Sequence, residues 1–350
     1  MLRPAGWLYG KIADLRNLAY DRGLFASHDL GARTISVGNM TTGGTGKTPI
    51  VAYVAKLLAD NGETVCILTR GYGRDDPHDR VLVSDGTKAL VDTRKGGDEP
   101  VELARQLIGK AIVLADADRV AAARWAHETY DVTTFVLDDG FQHRRANRDL
   151  DIVCIDATDP FSGGRMLPAG RLREALPNIR RADAVIITRA DQVTSVNAIQ
   201  ERIRHYNPHA AIFVSETIIV ELTAIEDFEN GIRSSPGIEH STRATAGEPL
   251  RSLAFCGLGN PEAFFSTVRS MSGQDAPTAE RKFPDHHRYT QADIESLQQQ
   301  ARDSGAAALI TTAKDAVKLT DLRFDIPCFV AEIDVRIDHR DAFRDLVLST

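Results

Sequence analysis

The run Val37-Gly38-Asn39-Met40-Thr41-Thr42-Gly43-Gly44-Thr45-Gly46-Lys47-Thr48-Pro49 constrains the fold more than any other feature of the chain. It follows a β-branched stretch and opens a segment of helical apolar spacing, the strand–loop–helix setting that a phosphate-binding loop requires. Gly43, Gly44 and Gly46 let backbone N–H groups converge on phosphate oxygens at a helix N-terminus. Lys47 is placed to reach the β- and γ-phosphates, and the Thr48 hydroxyl to ligate Mg²⁺. The pattern GxxxxGK[ST] asks for glycine where Thr41 stands. The variant loop xGGxGK[ST] fits better, with Thr42 as its first residue. Thr41, Thr42, Gly43, Gly44, Thr45, Gly46, Lys47 and Thr48 are therefore read as the nucleotide loop.

The rest of the chain fits such a loop into an α/β architecture. Short apolar runs at 34–37, 64–69, 112–115, 133–137, 152–155, 184–188 and 211–214 alternate with helical stretches. That alternation predicts a mostly parallel, doubly wound sheet of the P-loop NTPase type. The helix after the loop spans 49–59, with Ile50, Val54, Leu57 and Leu58 on one face and Gly62 just beyond its end. A second α/β set follows, with strands at 252–256, 308–312 and 328–331 and an Asn260–Pro261 helix start. The stretch 217–222 can pair with 329–335 as a two-stranded connection. The expected organisation is an N-terminal helical region (1–33), a P-loop domain (34–215), a linker and loop (216–250) and a smaller α/β domain (251–350) that closes over the site.

Two carboxylates end the strand Thr133-Thr134-Phe135-Val136-Leu137-Asp138-Asp139-Gly140, at the C-terminal end where ligands of open α/β sheets sit. Adjacent strand residues point to opposite sides, so Asp138 and Asp139 are expected to divide their labour. Thr188-Arg189-Ala190-Asp191 comes near a guanine-reading [NT]KxD strand end, which keeps a GTPase or metal-delivery NTPase open as the alternative. Asp98, in Gly96-Gly97-Asp98-Glu99-Pro100, is by its position either a helix cap or a functional acid. The adjacent histidines of Phe283-Pro284-Asp285-His286-His287 cannot both face one ion. Between Phe141 and Arg181 lie eight arginines, no lysine and five acids, a composition suited to a phosphorylated small substrate.

Charge and cysteine usage narrow the class. The formal charge is −7, with 42 Lys plus Arg against 49 Asp plus Glu, which argues against nucleic acid as a partner. Cys66, Cys154, Cys256 and Cys328 lie far apart in apolar runs without metal spacing, and read as reduced core residues of a cytoplasmic protein. No stretch approaches the roughly 18 apolar residues of a spanning helix. The first thirty residues differ from the rest. Leu8, Ile12, Leu15 and Ala19 form a stripe at helical spacing, widened by Trp7 and Leu18, and Arg3, Lys11, Arg16 and Arg22 against Asp14 and Asp21 give 3–22 a local charge of +2. Such a helix either docks on the first domain or lies in a membrane interface with its cations at anionic headgroups.

Seven motifs occur in order: GNMTTGGTGKTP, TRGYGR, GGDEP, LDDGFQHRR with RDLDIV, GRMLPAGRLRE, FPDHH and TTAKDAVKL. Together they resemble the tetraacyldisaccharide 4'-kinase (lipid A 4'-kinase) family. The resemblance implies transfer of the ATP γ-phosphate to the 4'-hydroxyl of a tetraacylated glucosamine disaccharide 1-phosphate. It also implies ATP and Mg²⁺ as cofactors, a mobile hinge between two α/β/α domains, and peripheral attachment to the cytoplasmic face of the bacterial inner membrane. No protein partner is implied. Carried over by motif, Asp98 resembles the family's general base and His286 its partner. Lys47 and Asp139 fall among the catalytic residues, with Thr48 and Asp138 at the metal. Asn39, Arg70, Tyr72, Gln142, His143, Arg171, Arg173 and Glu174 become the expected wall for the disaccharide and its 1-phosphate.

Overall fold

The computed structural model describes residues 3–229, 251–271, 277–319 and 321–350. Twelve strands make one continuous sheet: β1 (Arg33–Asn39), β2 (Val65–Thr69), β3 (Val81–Ser84), β4 (Ala111–Ala115), β5 (Thr134–Asp138), β6 (Leu150–Asp156), β7 (Ala184–Thr188), β8 (Ala211–Ala224), β9 (Ser252–Cys256), β10 (Ala279–Lys282), β11 (Ala308–Thr312) and β12 (Cys328–Ile337). Their spatial order is 10-9-11-12-8-7-6-1-5-2-4-3. Helices cover both faces: α1 (Arg3–Asp21), α2 (Lys47–Asp60), α3 (Thr93–Gly96), α4 (Asp98–Gln106), α5 (Arg119–Tyr130), α6 (Asn197–Tyr206), α7 (Ile225–Glu229), α8 (Pro261–Arg269), α9 (Gln291–Ser304), α10 (Ala313–Ala316) and α11 (Arg340–Ser349). All pairings are parallel except β3 with β4 and β8 with β12. This is an α/β doubly wound, mostly parallel sheet of the P-loop type, extended by a second and smaller α/β set.

The central strands β2, β4, β5, β6 and β7 are buried along their whole length. Near-continuous apolar runs are what a sheet covered on both faces needs, so periodicity 2 is absent there and length alone marks them as strands. The edge strands β3 and β10 escape a sequence reading. β10 is Ala-Glu-Arg-Lys, mostly half-exposed, and takes its strand form from parallel pairing with β9 rather than from its own side chains.

The junction of the two halves is a strand. β8 runs unbroken for 14 residues, pairing parallel with β7 through 211–214 and antiparallel with β12 through 215–224. The 217–222 with 329–335 pairing is present, with Thr217 opposite Val335 and Ile218 opposite Asp334. Of the segment expected as linker, 216–224 is therefore strand, driven by its β-branched Thr217, Ile218, Ile219, Val220 and Thr223. Residues 225–229 form α7, and 230–250 lie outside the described residues. One apolar core runs through both halves. It links Ile35 of β1 and Ile50 of α2 to Val330 of β12 and Phe343 of α11. All four cysteines are buried.

Helix α1 docks by the face opposite its apolar stripe. Gly6, Gly10, Ala13 and Asn17 are its buried residues, at a spacing of three to four along the helix. A Cβ at Gly6 would lie 3.0 Å from Ala169 Cβ and 3.1 Å from the Met166 carbonyl, so any larger residue would push on this close approach. Asn17 donates to Glu174 Oε2 at 2.7 Å and the Asn17 carbonyl accepts from Arg144. Trp7 and Leu15 remain 66% and 65% exposed, and Leu8 and Ile12 are exposed beside them. The docking expectation holds, and the apolar stripe is left facing outward.

Candidate active site

The parallel registers bring the ends of β1, β2, β5, β6 and β7 to one rim of the sheet, with Val37 opposite Asp138, Asn39 opposite Cys154 and Asp156 opposite Thr188. From the other half, residues after β9 and β11 reach the same rim. Between them lies a cavity of about 480 Å³, lined by residues 42–48, both Asp138 and Asp139, and Asp285, His286 and Lys314 of the second half.

The nucleotide loop is braced from beneath. Asn39 Nδ2 donates to Thr45 Oγ1 at 2.8 Å, and Thr188 Oγ1 donates to the Thr45 carbonyl at 2.8 Å. Gly43 has φ 103°, a backbone conformation that strains any residue with a side chain. Lys47 opens α2, and Ile50, Val51, Val54, Ala55 and Leu58 bury that helix against the sheet. Thr41 is buried, bridged to Leu172, and stands outside the cavity wall, whereas Thr42 to Thr48 line it.

Asp138 closes β5, and Thr69 Oγ1 donates to its Oδ2 at 3.0 Å. Asp139 lies one residue beyond the strand with φ 55°. That left-handed turn breaks the strand alternation, so both carboxylates face the cavity instead of opposite sides. Lys47 Nζ approaches Asp139 Oδ1 at 3.5 Å, and Arg173 Nη1 donates to Oδ2 at 2.6 Å. Burial raises the pKa of Asp139, but Lys47 and Arg173 outweigh it and hold the carboxyl far below its usual range. Burial of Asp138 is only partly offset by Lys47, and its carboxyl is pushed up to about 6. The fully buried Arg119 donates to the carbonyls of both aspartates and fixes this turn.

Across the cavity, α4 begins at Asp98. Gly97 is its N-cap, at φ 90°, and a Cβ there would lie 2.7 Å from the Tyr72 carbonyl. Asp98 is thus the first helical residue, and its side chain is free of cap duty. Its Oδ2 lies 3.0 Å from His286 Nδ1 and 3.3 Å from Lys318 Nζ. Burial raises the Asp98 pKa, yet the His286 hydrogen bond and the Lys318 charge more than compensate, so the carboxyl stays below its usual range. His286 and Glu99 line the cavity, whereas Asp98 sits at its edge behind His286. Lys314 pairs with Asp285 at 3.2 Å and Glu99 at 3.7 Å. Glu102, one turn along α4, is buried in the same wall, and burial pushes its pKa up to about 8.

The expected substrate wall divides. Arg70, Tyr72 and Arg173 line the cavity, with Arg70 Nη1 donating to the Tyr72 hydroxyl at 3.3 Å. Gln142 joins Arg173 to the Asn39 carbonyl, at 3.3 and 2.9 Å. Asn39 and Arg171 serve the loop itself, the latter by donating to the Thr42 carbonyl at 2.8 Å. His143 is pushed down to about 3 by burial and by Arg119, Arg70 and Arg148, and its buried Nε2 has no hydrogen-bond partner. Glu174 is wholly buried beneath α1, its oxygens taken by Arg181 and Asn17, and does not reach the cavity. Asn260 sits at the N-cap of α8 but makes no capping hydrogen bond and lines the cavity instead. Arg189 of the TRAD run ion-pairs with Asp156 and donates to the Gly44 carbonyl at 2.8 Å. Its side chain is spent on the loop, and offers no stem for a guanine base. Sequence reasoning missed Arg119, Glu99, Glu102, Lys314 and Lys318. The two lysines lie four residues apart in TTAKDAVKL, a spacing that puts both on one helical face.

No described set of three or more His, Cys, Asp or Glu could cage a metal. The residues nevertheless fit Mg²⁺. Asp139 Oδ1 is buried without a hydrogen-bond partner and Asp138 beside it is short of positive charge. Mg²⁺ is commonly held by one or two carboxylates completed by substrate phosphates.

The sequence profile described as Tetraacyldisaccharide-1-P 4'-kinase matches residues 1–350. The tetraacyldisaccharide 4'-kinase of Syntrophus aciditrophicus is 38% identical over 340 residues, 95% of this chain and 88% of the relative. That of Desulfotalea psychrophila is 34% identical over 352 residues, covering 99% and 95%. The crystal structure of LpxK from Aquifex aeolicus in complex with ATP is similar with a TM-score of 0.76 and 30% identity, covering 99% of this chain and 98% of that one. Matched along its whole length in sequence and in fold, the chain belongs to the tetraacyldisaccharide-1-phosphate 4'-kinase family.

Proposed function

We propose that the protein is an ATP-dependent phosphotransferase that moves the γ-phosphate to the 4'-hydroxyl of a tetraacylated glucosamine disaccharide 1-phosphate. The observation that carries this reading is the meeting, across one cavity, of the Lys47 loop from one half with the Asp98–His286 pair. A loop alone would suit any nucleotide hydrolase; the opposed carboxylate suits an alcohol acceptor. A sugar hydroxyl is a weak nucleophile, and a positioned carboxylate accepts its proton as phosphoryl transfer proceeds. His286 and Lys318 both reach Asp98 Oδ2, so Oδ1 is the oxygen that takes the proton. Residues 42–48 present backbone N–H groups to the phosphates, and Lys47 exchanges its Asp139 partner for them. Thr48 and Asp138 would hold Mg²⁺, with Asp139 beside them. When bound, the ion offsets charge on the phosphates. Arg70, Tyr72 and Arg173 form the acceptor side of the cavity. Apposition of the two halves excludes water from the γ-phosphate.

The test is label transfer from γ-labelled ATP to the tetraacyl disaccharide 1-phosphate in mixed micelles. Acceptor-dependent transfer is expected; nucleotide hydrolysis with no labelled lipid would overturn the reading.

Among the described residues no helix is long and apolar enough to cross a membrane. Attachment is proposed through the outward stripe of α1, Trp7, Leu8, Ile12, Leu15 and Leu18, with Arg3, Lys11 and Arg16 at anionic headgroups. The cytoplasmic face of the inner membrane is the side on which ATP meets the lipid. The combined change Leu8→Ser, Ile12→Ser and Leu15→Ser is expected to lower partition onto anionic vesicles by about tenfold or more, since each side chain loses much of its ~1.5–3 kcal/mol burial term. Because these residues face outward, folding should be unaffected. Unchanged co-sedimentation would remove the anchoring role.

A further inference from the structure

Lys318 touches neither phosphate nor acceptor in that scheme, yet its ammonium reaches the proposed base. Its side chain is 7% exposed, with Nζ 3.3 Å from Asp98 Oδ2 and 3.4 Å from Asp315 Oδ1. Asp315 is completely buried, and its Oδ2 accepts from the Gly257 N–H at 3.0 Å and the Thr312 hydroxyl at 2.7 Å. The anchor is therefore rigid, built into the turn that joins β11 to α10. A lysine needed only to neutralise Asp315 could do so without spanning to α4.

The geometry points to Lys318 as a positioning residue for phosphoryl transfer, tethering the Asp98 carboxylate to the buried Asp315 of the second half. The inference rests on Asp98 being the base. Three elements face that carboxylate with charged or titratable groups. The 285–286 turn brings Asp285 and His286; the α10 region brings Lys314, Asp315 and Lys318; α4 itself carries Glu99 and Glu102. Lys314 is occupied by Asp285 and Glu99. Burial biases Glu102 towards its neutral form, and His286 contributes a hydrogen bond through one nitrogen. Lys318 is thus the cation available to hold Asp98 both in place and in its charged form, and it is present only while the second half lies against the start of α4.

The experiment compares Lys318→Met, Lys318→Arg and Asp98→Asn, and the double variant Lys318→Met with Asp98→Asn, in full-length protein with ATP and the tetraacyl disaccharide 1-phosphate. Lys318→Met is expected to lower kcat by about 10–100-fold, as misplacement of a catalytic group does, with KM for ATP within about twofold. The acid limb of its kcat profile should move up by about one pH unit, because a carboxylate that loses a neighbouring cation is easier to protonate. Lys318→Arg, which keeps the charge, should recover to within about threefold. The double variant should be no slower than Asp98→Asn, since Lys318 acts through Asp98. Should Lys318→Met fail to fold, Lys318→Gln is judged by the same criteria. A slow variant with an unmoved acid limb, a multiplicatively slower double variant, or a wild-type rate overturns the inference. If Asp98→Asn is inactive in those cases, the base assignment stands and only Lys318 is misassigned. Wild-type turnover by Asp98→Asn removes the base assignment, and this inference with it.

Discussion

Asp98→Asn is expected to lower kcat for phosphoryl transfer by about 10²–10⁴-fold, the range over which a general base contributes, while nucleotide affinity stays within about twofold. The substitution preserves shape and can still accept from His286, so the start of α4 should survive. What it removes is the proton acceptor. The sign of the pH dependence follows from the environment. Desolvation raises the Asp98 pKa, but the hydrogen bond from His286 and the charge of Lys318 prevail, and the net shift is downward from 3.8. A carboxylate so depressed is in its basic form throughout the neutral range and loses activity only as pH falls through its lowered pKa. Raising the pH should therefore not rescue Asp98→Asn. Steady-state kinetics with saturating lipid, beside a titration with a fluorescent nucleotide, separates the two quantities. Full transfer by the variant would move the base elsewhere in the cavity, and weakened nucleotide binding alone would make Asp98 a nucleotide residue.

Lys47→Met should have an effect of similar size through a different route. Lys47 is the first residue of α2, and its ammonium lies 3.5 Å from Asp139 Oδ1. Desolvation pulls its pKa down, yet Asp139 and Asp138 more than restore it, so the side chain is held above its usual range and is charged wherever the enzyme works. Removing a preorganised charge aimed at the transferring group costs about 10²–10³-fold in kcat. Here a second penalty adds. Asp139 keeps Arg173 at 2.6 Å but loses the Lys47 cation, leaving more negative charge where phosphates must enter. The predicted signature is a fall in kcat together with weaker ATP binding, unlike Asp98→Asn, which touches kcat alone. Normal kcat with only a raised KM for ATP would confine Lys47 to ground-state binding.

Much of this organisation is legible in the residues. The glycine-rich run before an apolar helix, and the strand ending in two acids, predict the loop and the strand end where a ligand sits. Buried strands such as Val-Cys-Ile-Leu-Thr and Ala-Val-Ile-Ile-Thr announce themselves by composition. β10 does not, because Ala-Glu-Arg-Lys is made a strand by its neighbour. The role of Glu174 is equally hidden. It balances Arg181 close by in sequence, but it folds away beneath α1 to accept from Asn17, a contact between segments far apart in the chain.

The N-terminal helix shows the division most plainly. Its spacing fixes an apolar stripe and a small-residue stripe on opposite faces, but sequence cannot say which one the body takes. The shape of residues 166–169 decides that, since Met166 and Ala169 approach so closely that a side chain at position 6 would have to push them back.

Local chemistry is what the sequence alone determined: a phosphate cradle, two carboxylates at a strand end, an acid beginning a helix, and a chain of covered parallel strands. Local patterns can do this because dihedral preference, burial and spacing act over a few residues. Partnership was decided only by the tertiary structure. Asp98 meets His286 and Lys318 from more than 180 residues away in sequence because β8 carries the sheet from one half into the other. Asp139 turns towards Lys47 because its backbone leaves the strand at φ 55°. Charges interact through space, and only the folded chain fixes which of them are within a few ångströms of one another.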